Sequence, residues 1–320
     1  MNKKHQDLIK KQGVSVIVPV FNSEATLLEL IHRIEKALVS FTDSFEIIFV
    51  NDGSSDNCWS IICDLAEKNN FITGLNLMRN YGQHDALLTG IRTARKDIIV
   101  TIDDDLQHPP EEIHHLINKL NEGYDVVYGT PEKEKHGMWR NITSVTTKSI
   151  LKHPVGIDIA QEASAFRAFN SKIREAFENY SGPFVDIDAL LSWGTTKFTS
   201  VKVRRDARQE GKSAYTLGKL IAYLINTMTS FTTVPLRLAS LTGFVFTLFG
   251  IGILVYVIGC FFIYGTVVPG FPFLASIITI FAGAQLLTLG IIGEYLAKMH
   301  FRSMGKPTSV IRETTDKELK

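Results

Sequence analysis

The stretch Val14–Asp52, VSVIVPVFNSEATLLELIHRIEKALVSFTDSFEIIFVND, contains the unit that decides the fold. It begins with the β-rich apolar run Val14–Val20, continues with apolar residues at helical spacing from Ala25, and closes with the apolar run Phe45–Val50. Short apolar runs bounded by polar turns are typical of buried strands, and a strand–helix–strand unit favours parallel pairing. The stretch therefore predicts an α/β domain.

The same alternation continues along the chain to about residue 129. Further strands are predicted at 71–77, 97–102 and 124–129, with helices at Cys58–Lys68, over roughly His84–Ala94 and from Pro109. Beyond them, 171–180 has helical spacing and 196–206 alternates like a strand. This order indicates a doubly wound, mainly parallel sheet, which binds ligands at the carboxyl ends of its strands.

Three consecutive acids, Asp103, Asp104 and Asp105, follow the fourth predicted strand. Alternate side chains of an extended segment point the same way, so Asp103 and Asp105 can converge while Asp104 points elsewhere. Two convergent carboxylates suit Mg²⁺ or Mn²⁺, with a substrate phosphate completing the coordination and Gln107 able to add an amide oxygen. The alternative is a solvated acidic turn that caps the helix starting near Pro109.

Two other polar motifs are candidates for ligand binding. In VNDGSSD, Asp52 could accept hydrogen bonds from a base or ribose, although such sequences are also ordinary turns. In RQEGKSAY, the cluster of Arg208, Lys212 and Ser213 suits a phosphate clamp, because arginine offers a bidentate fork. A surface charge at a strand end is the alternative for Arg208.

A long apolar segment follows the soluble part of the chain. No Asp, Glu, Lys or Arg occurs from Leu238 to Gly293. A membrane-spanning helix needs roughly 20 apolar residues, so the segment predicts two spans, near 238–263 and 272–293, joined by a turn. A helical hairpin buried in a soluble protein would normally keep a polar face, and this segment has none.

The charges that flank the two predicted spans set their orientation. Arg237 precedes the first span, and the basic residues Lys298, Arg302, Lys306 and Arg312 follow the second. By the positive-inside rule, both termini and the large N-terminal domain lie in the cytoplasm. The sequence thus predicts a multi-pass protein of the inner (cytoplasmic) membrane, in contact with membrane lipid.

Composition excludes several other classes of function. The net charge of +1 offers no case for nucleic-acid binding. Three cysteines without a CxxC pair indicate neither a zinc site nor a disulfide framework. Two spans without an intramembrane charge argue against a channel or transporter.

The order of the motifs carries a family resemblance. VIVPVFNSE, VNDGSSD, RNYGQ, DDDLQHPPE, FRAFN, RQEGKSAY and IIGEYLAKMHFRSMGKP occur in the order found in family 2 glycosyltransferases. The chain resembles most closely the polyprenyl-phosphate glycosyltransferases, relatives of dolichol-phosphate mannose synthase, and its two-helix tail is similar to that of the bacterial undecaprenyl-phosphate members.

The resemblance implies a GT-A fold and a nucleotide-diphosphate sugar donor. The catalytic domain would span 1–213, a juxtamembrane amphipathic helix 214–237, the transmembrane helices 238–297 and a cytoplasmic tail 298–320. The helix at 214–237 would lie either in the membrane interface or against the catalytic domain. By resemblance, the nucleoside pocket would be lined by Pro19, Phe21, Glu24 and Asp52. The metal would be held by Asp103, Asp105 and Gln107. Phosphate on the acceptor side would be bound by Arg208 and Ser213, beside Lys212.

The chain departs from the family pattern at two places. Many relatives carry an acid in a G-D-F-R segment, where this chain reads SAFR with Ala165, so an enzymatic base is in doubt. Glu162 is the nearest remaining acid. The usual Lys/Arg-Pro-x-Tyr near the tail reads Lys-Pro-Thr-Ser, ending at Ser309.

Together these features predict a metal-dependent, inverting glycosyltransferase that moves one sugar from a nucleotide donor, with UDP favoured, to undecaprenyl phosphate on the cytoplasmic leaflet. Transfer would depend on Asp103, Asp105 and Arg208. One alternative is a processive polysaccharide synthase, which usually needs more spans and a QxxRW segment. Another is a non-catalytic membrane scaffold that binds nucleotide sugar. The sequence leaves open which sugar is moved and whether the protein is a homo-oligomer.

Overall fold

The computed structural model describes residues 12–131, 164–206, 226, 228–265 and 270–316. The chain divides into two compact units. The first comprises Met1–Thr216 together with Lys306–Lys320, and the second is Leu217–Gly305. The C-terminal residues therefore belong with the N-terminal domain, although the two are separated in sequence by the apolar segment.

The first unit is built on an eight-stranded sheet. Its strands are β1 (Val14–Val20), β2 (Phe45–Asn51), β3 (Ile72–Leu77), β4 (Ile98–Thr101), β5 (Val126–Pro131), β6 (Arg167–Asn170), β7 (Phe198–Val203) and β8 (Ile311–Thr314). They lie in the order β7-β5-β6-β4-β1-β2-β3-β8. β6 and β8 pair antiparallel with their neighbours and the other pairs are parallel, so the predicted mainly parallel sheet is confirmed.

Helices cover this sheet. They are α1 (Glu24–Val39), α2 (Cys58–Lys68), α3 (Gln83–Thr93), α4 (Ile113–Leu120) and α5 (Ile187–Gly194). α1 buries a stripe of apolar side chains at helical spacing, including Leu27, Leu30 and Ile34. α3 approaches the sheet closely because Gly90 has no side chain; a Cβ there would lie 2.5 Å from Cγ2 of Ile17.

Three elements of the first unit have no counterpart in the sequence prediction: β6, α5 and β8. β6 and β8 have only four residues each, and the side chains of Ile311–Glu313 are exposed, so no apolar alternation marks β8. The helix predicted at 171–180 is a 3₁₀ helix over Ser171–Ala176. Such short elements are determined by their neighbours more than by their own residues.

The second unit contains two long helices, α6 (Val234–Tyr264) and α7 (Phe271–Ser303). Both are long and apolar enough to cross a membrane, and the apolar windows that identify them contain no buried residue. They pack on each other, with the rings of Phe246 and Phe281 edge to face at 5.7 Å. α7 extends past the predicted span at 272–293. There the Nζ of Lys298 donates to the carbonyl of Asn226 and to the hydroxyl of Ser230, each at 3.1 Å, which satisfies the ammonium group.

Candidate active site

Asp52, just after β2, binds the loop that follows β3. Its backbone N–H donates to the carbonyl of Val20 at 2.9 Å, which places it beside the end of β1. Its two carboxylate oxygens accept the backbone N–H groups of Tyr81 at 2.7 Å and Gly82 at 2.8 Å. Burial raises the pKa of Asp52, and these two hydrogen bonds oppose that rise. The carboxylate therefore fixes the position of this loop, called here the Arg79–Gln83 loop because it runs from Arg79 to the first residue of α3, Gln83.

The turn after Asp52 needs a glycine for two reasons. Gly53 has a φ of +69°, which L side chains rarely adopt. A Cβ at Gly53 would also lie 2.6 Å from main-chain atoms of Arg79 and Asn80. The loops after β2 and β3 thus touch backbone to backbone at the carboxyl ends of their strands.

The three consecutive acids after β4 accept hydrogen bonds from different parts of the chain. Asp103 accepts a hydrogen bond at 2.6 Å from the side-chain amide of Gln83, so it contacts the same Arg79–Gln83 loop as Asp52. Asp104 accepts the backbone N–H of Phe21 at 3.1 Å, beyond the end of β1. Asp105 accepts the backbone N–H of Gln107 at 3.1 Å. Asp104 therefore stabilises the fold, while Asp103 faces the site shared with Asp52.

The charge on Asp103 is poorly compensated. Burial, then Asp105 and Asp104, raises its pKa to about 7, against an opposing effect of Arg167. A half-buried carboxylate beside two others suits a bound cation, because the cation removes the repulsion. Among the described residues, no three His, Cys, Asp or Glu side chains form a complete metal site. A metal held here would need further oxygens from a substrate, as Mg²⁺ sites commonly use.

Gln107 joins the acidic loop to the end of β7. Its side-chain oxygen accepts hydrogen bonds from Nε and Nη2 of Arg205, the first at 3.1 Å. Its backbone carbonyl accepts the N–H of Asp206 at 2.9 Å. The chain immediately before the RQEGKSAY motif therefore runs along the acidic loop, which the sequence did not predict.

The other predicted pocket residues lie at the same edge of the sheet. Pro19 is buried within β1, and the Phe21 side chain just beyond it is 48% exposed. The carboxylate of Glu24 accepts the backbone N–H of Asn57 at 2.9 Å, and Asp56 accepts the N–H of Glu24 at 3.1 Å. These reciprocal bonds tie the start of α1 to the turn before α2.

The remaining predicted residues, Arg208, Lys212, Ser213 and Glu162, lie outside the described residues. Ala165, which stands where many relatives have an acid, lies beside β4. Its carbonyl accepts the hydroxyl hydrogen bond of Thr101 at 2.6 Å, two residues before Asp103.

A buried ion pair near the site was missed by the sequence analysis. Arg167 on β6 is 2% exposed and pairs with Asp188 of α5, which also accepts a hydrogen bond from the hydroxyl of Tyr128 at 2.8 Å. One signal was present, because an arginine inside the apolar run FRAF must find a buried partner. Its partner lies 21 residues later and could not be identified from the sequence.

Comparison with known proteins identifies the family of this chain. Residues 15–180 match the model of glycosyl transferase family 2, a region that contains Asp52, Asp103 and Asp105. The chain belongs to glycosyltransferase family 2. The predicted enzyme class, a glycosyltransferase, is therefore confirmed.

Curated relatives of this glycosyltransferase match it almost end to end. It is 33% identical over 303 residues to the undecaprenyl-phosphate 4-deoxy-4-formamido-L-arabinose transferase of Shewanella sediminis, covering 94% of this chain and 92% of that protein. It is 34% identical over 315 residues to the transferase of the same name from Serratia proteamaculans, covering 97% and 95%. The match thus extends through the apolar helices.

A solved structure supports the fold. Glucosyl-3-phosphoglycerate synthase from Mycobacterium tuberculosis, crystallised with Mg²⁺ and uridine diphosphate, superposes with a TM-score of 0.53 at 19% identity. The match covers 72% of this chain and 83% of that one. The predicted GT-A fold of this glycosyltransferase is confirmed.

Proposed function

We propose that this glycosyltransferase transfers a single sugar, with inversion, from a UDP-sugar to undecaprenyl phosphate. One observation carries the proposal: the Arg79–Gln83 loop binds Asp52 through its backbone and Asp103 through Gln83. A nucleoside near Asp52 and a diphosphate near Asp103 would therefore lie in one continuous site. The names of the relatives supply the acceptor, and the first donor to test is UDP-4-deoxy-4-formamido-L-arabinose.

In the donor site, Pro19, Phe21, Glu24 and Asp52 bind the nucleoside. Asp103, Asp105 and Gln107 would hold Mg²⁺ or Mn²⁺. When bound, such an ion would supply positive charge that stabilises the leaving diphosphate. Nε and Nη2 of Arg205 both donate to the side-chain oxygen of Gln107, so Gln107 could bind the ion only after Arg205 moves away.

On the acceptor side, Arg208, Lys212 and Ser213 bind the lipid phosphate. A phosphate oxygen attacks the anomeric carbon as the bond to the nucleoside diphosphate breaks, which inverts the anomeric configuration. A phosphate monoester has a second pKa near 6 and is mostly dianionic at pH 7, so it needs no base. Ala165 in place of an acid agrees with this mechanism.

The two apolar helices place the enzyme at its lipid substrate. α6 and α7 cross the inner membrane, and the catalytic domain and both termini lie on the cytoplasmic side. The basic residues after the second span and the uncharged loop between the spans support this orientation.

The experiment uses membranes that contain the full-length enzyme, undecaprenyl phosphate and a panel of labelled nucleotide sugars. We expect label to enter the lipid from one donor, as a single sugar. Membranes with the Asp105→Asn variant at equal abundance are the control. Lipid-linked chains of several sugars would indicate a processive synthase, and donor binding without transfer to lipid from any donor would indicate a scaffold.

A further inference from the structure

The C-terminal strand β8 is bonded to the residue at which β3 becomes the Arg79–Gln83 loop. β8 pairs antiparallel with β3, from Leu75 opposite Thr314 to Leu77 opposite Ile311. Just past β3, the backbone N–H of Met78 donates to the carbonyl of Val310 at 2.9 Å. The carbonyl of Met78 accepts a hydrogen bond from Nη2 of Arg312 at 2.7 Å. Both backbone polar groups of Met78 are therefore bonded to the C-terminal segment, which here means residues 308–316.

Met78 immediately precedes the loop that forms the proposed donor site. Within five residues of Met78, the loop donates two backbone hydrogen bonds to Asp52, and the side chain of Gln83 donates one to Asp103. Because these bonds are 2.6–2.8 Å long, small displacements of the loop would weaken them. The position of Met78 thus affects both acids through a short stretch of backbone.

Contacts other than that of Arg312 fasten the C-terminal segment along its length. They pair Trp59 with Glu313, Arg95 with Asp316, Arg92 with Thr308, Thr89 with Ser309 and Gly74 with Thr315. These partners lie on α2, β3 and α3 or just after α3. The segment would therefore stay bound to the sheet after the loss of one side chain. The effect of Arg312 on the loop can thus be tested separately from the binding of the whole segment.

We propose that β8 is a positioning element for the donor site and that Arg312 is the positioning residue that acts on the Arg79–Gln83 loop. The role in donor binding rests on the proposed function of Asp52 and Asp103, whereas the hold on the loop does not. The chain enters this segment directly from the apolar unit, at Gly305 and Lys306. A strand that follows the membrane helices in sequence thus sets the geometry of the nucleotide site.

The test compares Arg312→Ala with a matched control, Thr315→Val, in the full-length enzyme in detergent. Each variant removes one side-chain contact between the C-terminal segment and the β3 region. Arg312 contacts Met78 next to the loop, whereas Oγ1 of Thr315 accepts the N–H of Gly74 at 2.8 Å near the start of β3. The measurements are amide hydrogen exchange at Tyr81 and Gly82, the Kd for UDP, and kcat and KM for the donor and acceptor.

For Arg312→Ala we expect faster exchange at Tyr81 and Gly82, with the Kd for UDP and the donor KM raised about two- to tenfold, the range for loss of one hydrogen bond. The KM for the acceptor should stay unchanged, and Arg312→Lys should restore part of the affinity for UDP. Thr315→Val should lower the Tm, because it leaves a backbone N–H unpaired, without changing the Kd for UDP.

Unchanged exchange at Tyr81 and Gly82 in Arg312→Ala would overturn the positioning role, whatever reaction the enzyme catalyses. Equal losses of UDP affinity in Arg312→Ala and Thr315→Val would overturn it in favour of general stabilisation. If the wild type binds no UDP, the proposed donor site fails instead, and the exchange rates alone decide whether β8 holds the loop.

Discussion

Asp52 and Asp103 both follow buried strands, yet their charges are compensated differently. Asp52 accepts two backbone N–H groups, whereas Asp103 accepts a single side-chain amide and lies beside two further carboxylates. The pKa of Asp103 consequently reaches about 7, raised first by burial. At the scale of single residues, Asp52 holds a loop in place, whereas the ionised form of Asp103 is one that a bound cation would stabilise.

Replacing either acid that would hold the proposed metal should strongly reduce sugar transfer. In Asp103→Asn and in Asp105→Asn, an amide gives the cation less charge, so we expect transfer to fall at least tenfold. Circular dichroism should show that both variants remain folded. EDTA should reduce wild-type transfer in the same way, and Asp43→Asn, at an exposed position, should have no effect. Full activity in EDTA would contradict the metal assignment.

Asp85, in the first turn of α3, should make the stability of the protein depend on pH. Burial, then Asp52, raises its pKa from 3.8 to about 7, against opposing effects of Arg79 and Arg92. The folded state therefore favours the neutral acid, and stability should fall as the pH rises from about 4 to about 7. With allowance for partial exposure, the loss is about 2 kcal/mol.

Asp85→Asn removes the ionisable carboxyl group, so the variant should not lose stability as the pH rises. We expect its Tm to exceed the wild-type Tm by more at pH 8 than at pH 5. Asp43→Asn, at an exposed position, is the matched control and should show no such difference. A Tm gain for Asp85→Asn that is the same at both pH values would show that this carboxyl does not titrate as described.

Glu162 tests whether the enzyme uses a base. Because the acceptor phosphate is already ionised, Glu162→Gln should keep kcat within about tenfold, whereas loss of a general base usually costs at least a hundredfold. Activity should instead decline below about pH 6, as the acceptor phosphate takes up a proton. A thousandfold loss in a folded variant that still binds donor and acceptor would show that Glu162 is a base.

At the scale of elements, the short pieces β6 and α5 are connected by a buried charge. Arg167 on β6 lies between Thr101 of β4 and Tyr128 of β5 in the sheet, and it pairs with Asp188 on α5. Neither element shows a strong pattern of apolar residues in its sequence, so the ion pair helps to specify where α5 packs. This explains why an eight-residue helix can occupy a definite position.

Breaking that ion pair should destabilise the domain. Asp188→Asn leaves the guanidinium of Arg167 buried without its counter-charge, and we expect a loss of about 2–4 kcal/mol, since Asp188 is partly exposed. Tyr128→Phe removes only a neutral donor and should cost about 1 kcal/mol. Thermal unfolding of both variants compares the two effects. An equal Tm loss in the two variants would mean that the buried charge adds nothing beyond the hydrogen bond.

At the scale of the whole molecule, one chain combines a sheet domain with two apolar helices and then returns to the sheet. Many side chains of α6 and α7 are apolar and exposed, among them Phe262 at 81% and Ile263 at 74%. An exposed apolar surface of this extent is costly in water and favourable in lipid. The helices thus agree with membrane insertion, in contrast to a buried soluble hairpin.

The proposed orientation can be tested with two reporters. One fused after Lys320 should register as cytoplasmic, and a tag inserted near Val267 should be accessible only from outside. A fusion at Met1 serves as the internal reference for the catalytic domain. A cytoplasmic signal from the Val267 tag would mean that the apolar segment re-enters the membrane without crossing it.

Sequence alone determined the parts of this protein that depend on local pattern. The strands of the β1–β5 region and the helices between them follow from apolar periodicity, and α2 was predicted at its observed bounds, Cys58–Lys68. The apolar segment likewise predicted α6 and α7, because length and lack of charge suffice to identify such helices. The ordered motifs also identified the family.

Only the tertiary structure decided which distant residues meet. The bonds from the Arg79–Gln83 loop to Asp52 and Asp103, the pairing of Arg167 with Asp188, and the addition of β8 to β3 all join segments far apart in sequence. The periodicity of apolar residues indicates which face of a helix or strand is buried, but not which other element packs against that face. Partners are set by the order of the strands and by the compensation of buried charge, and both exist only once the chain has folded.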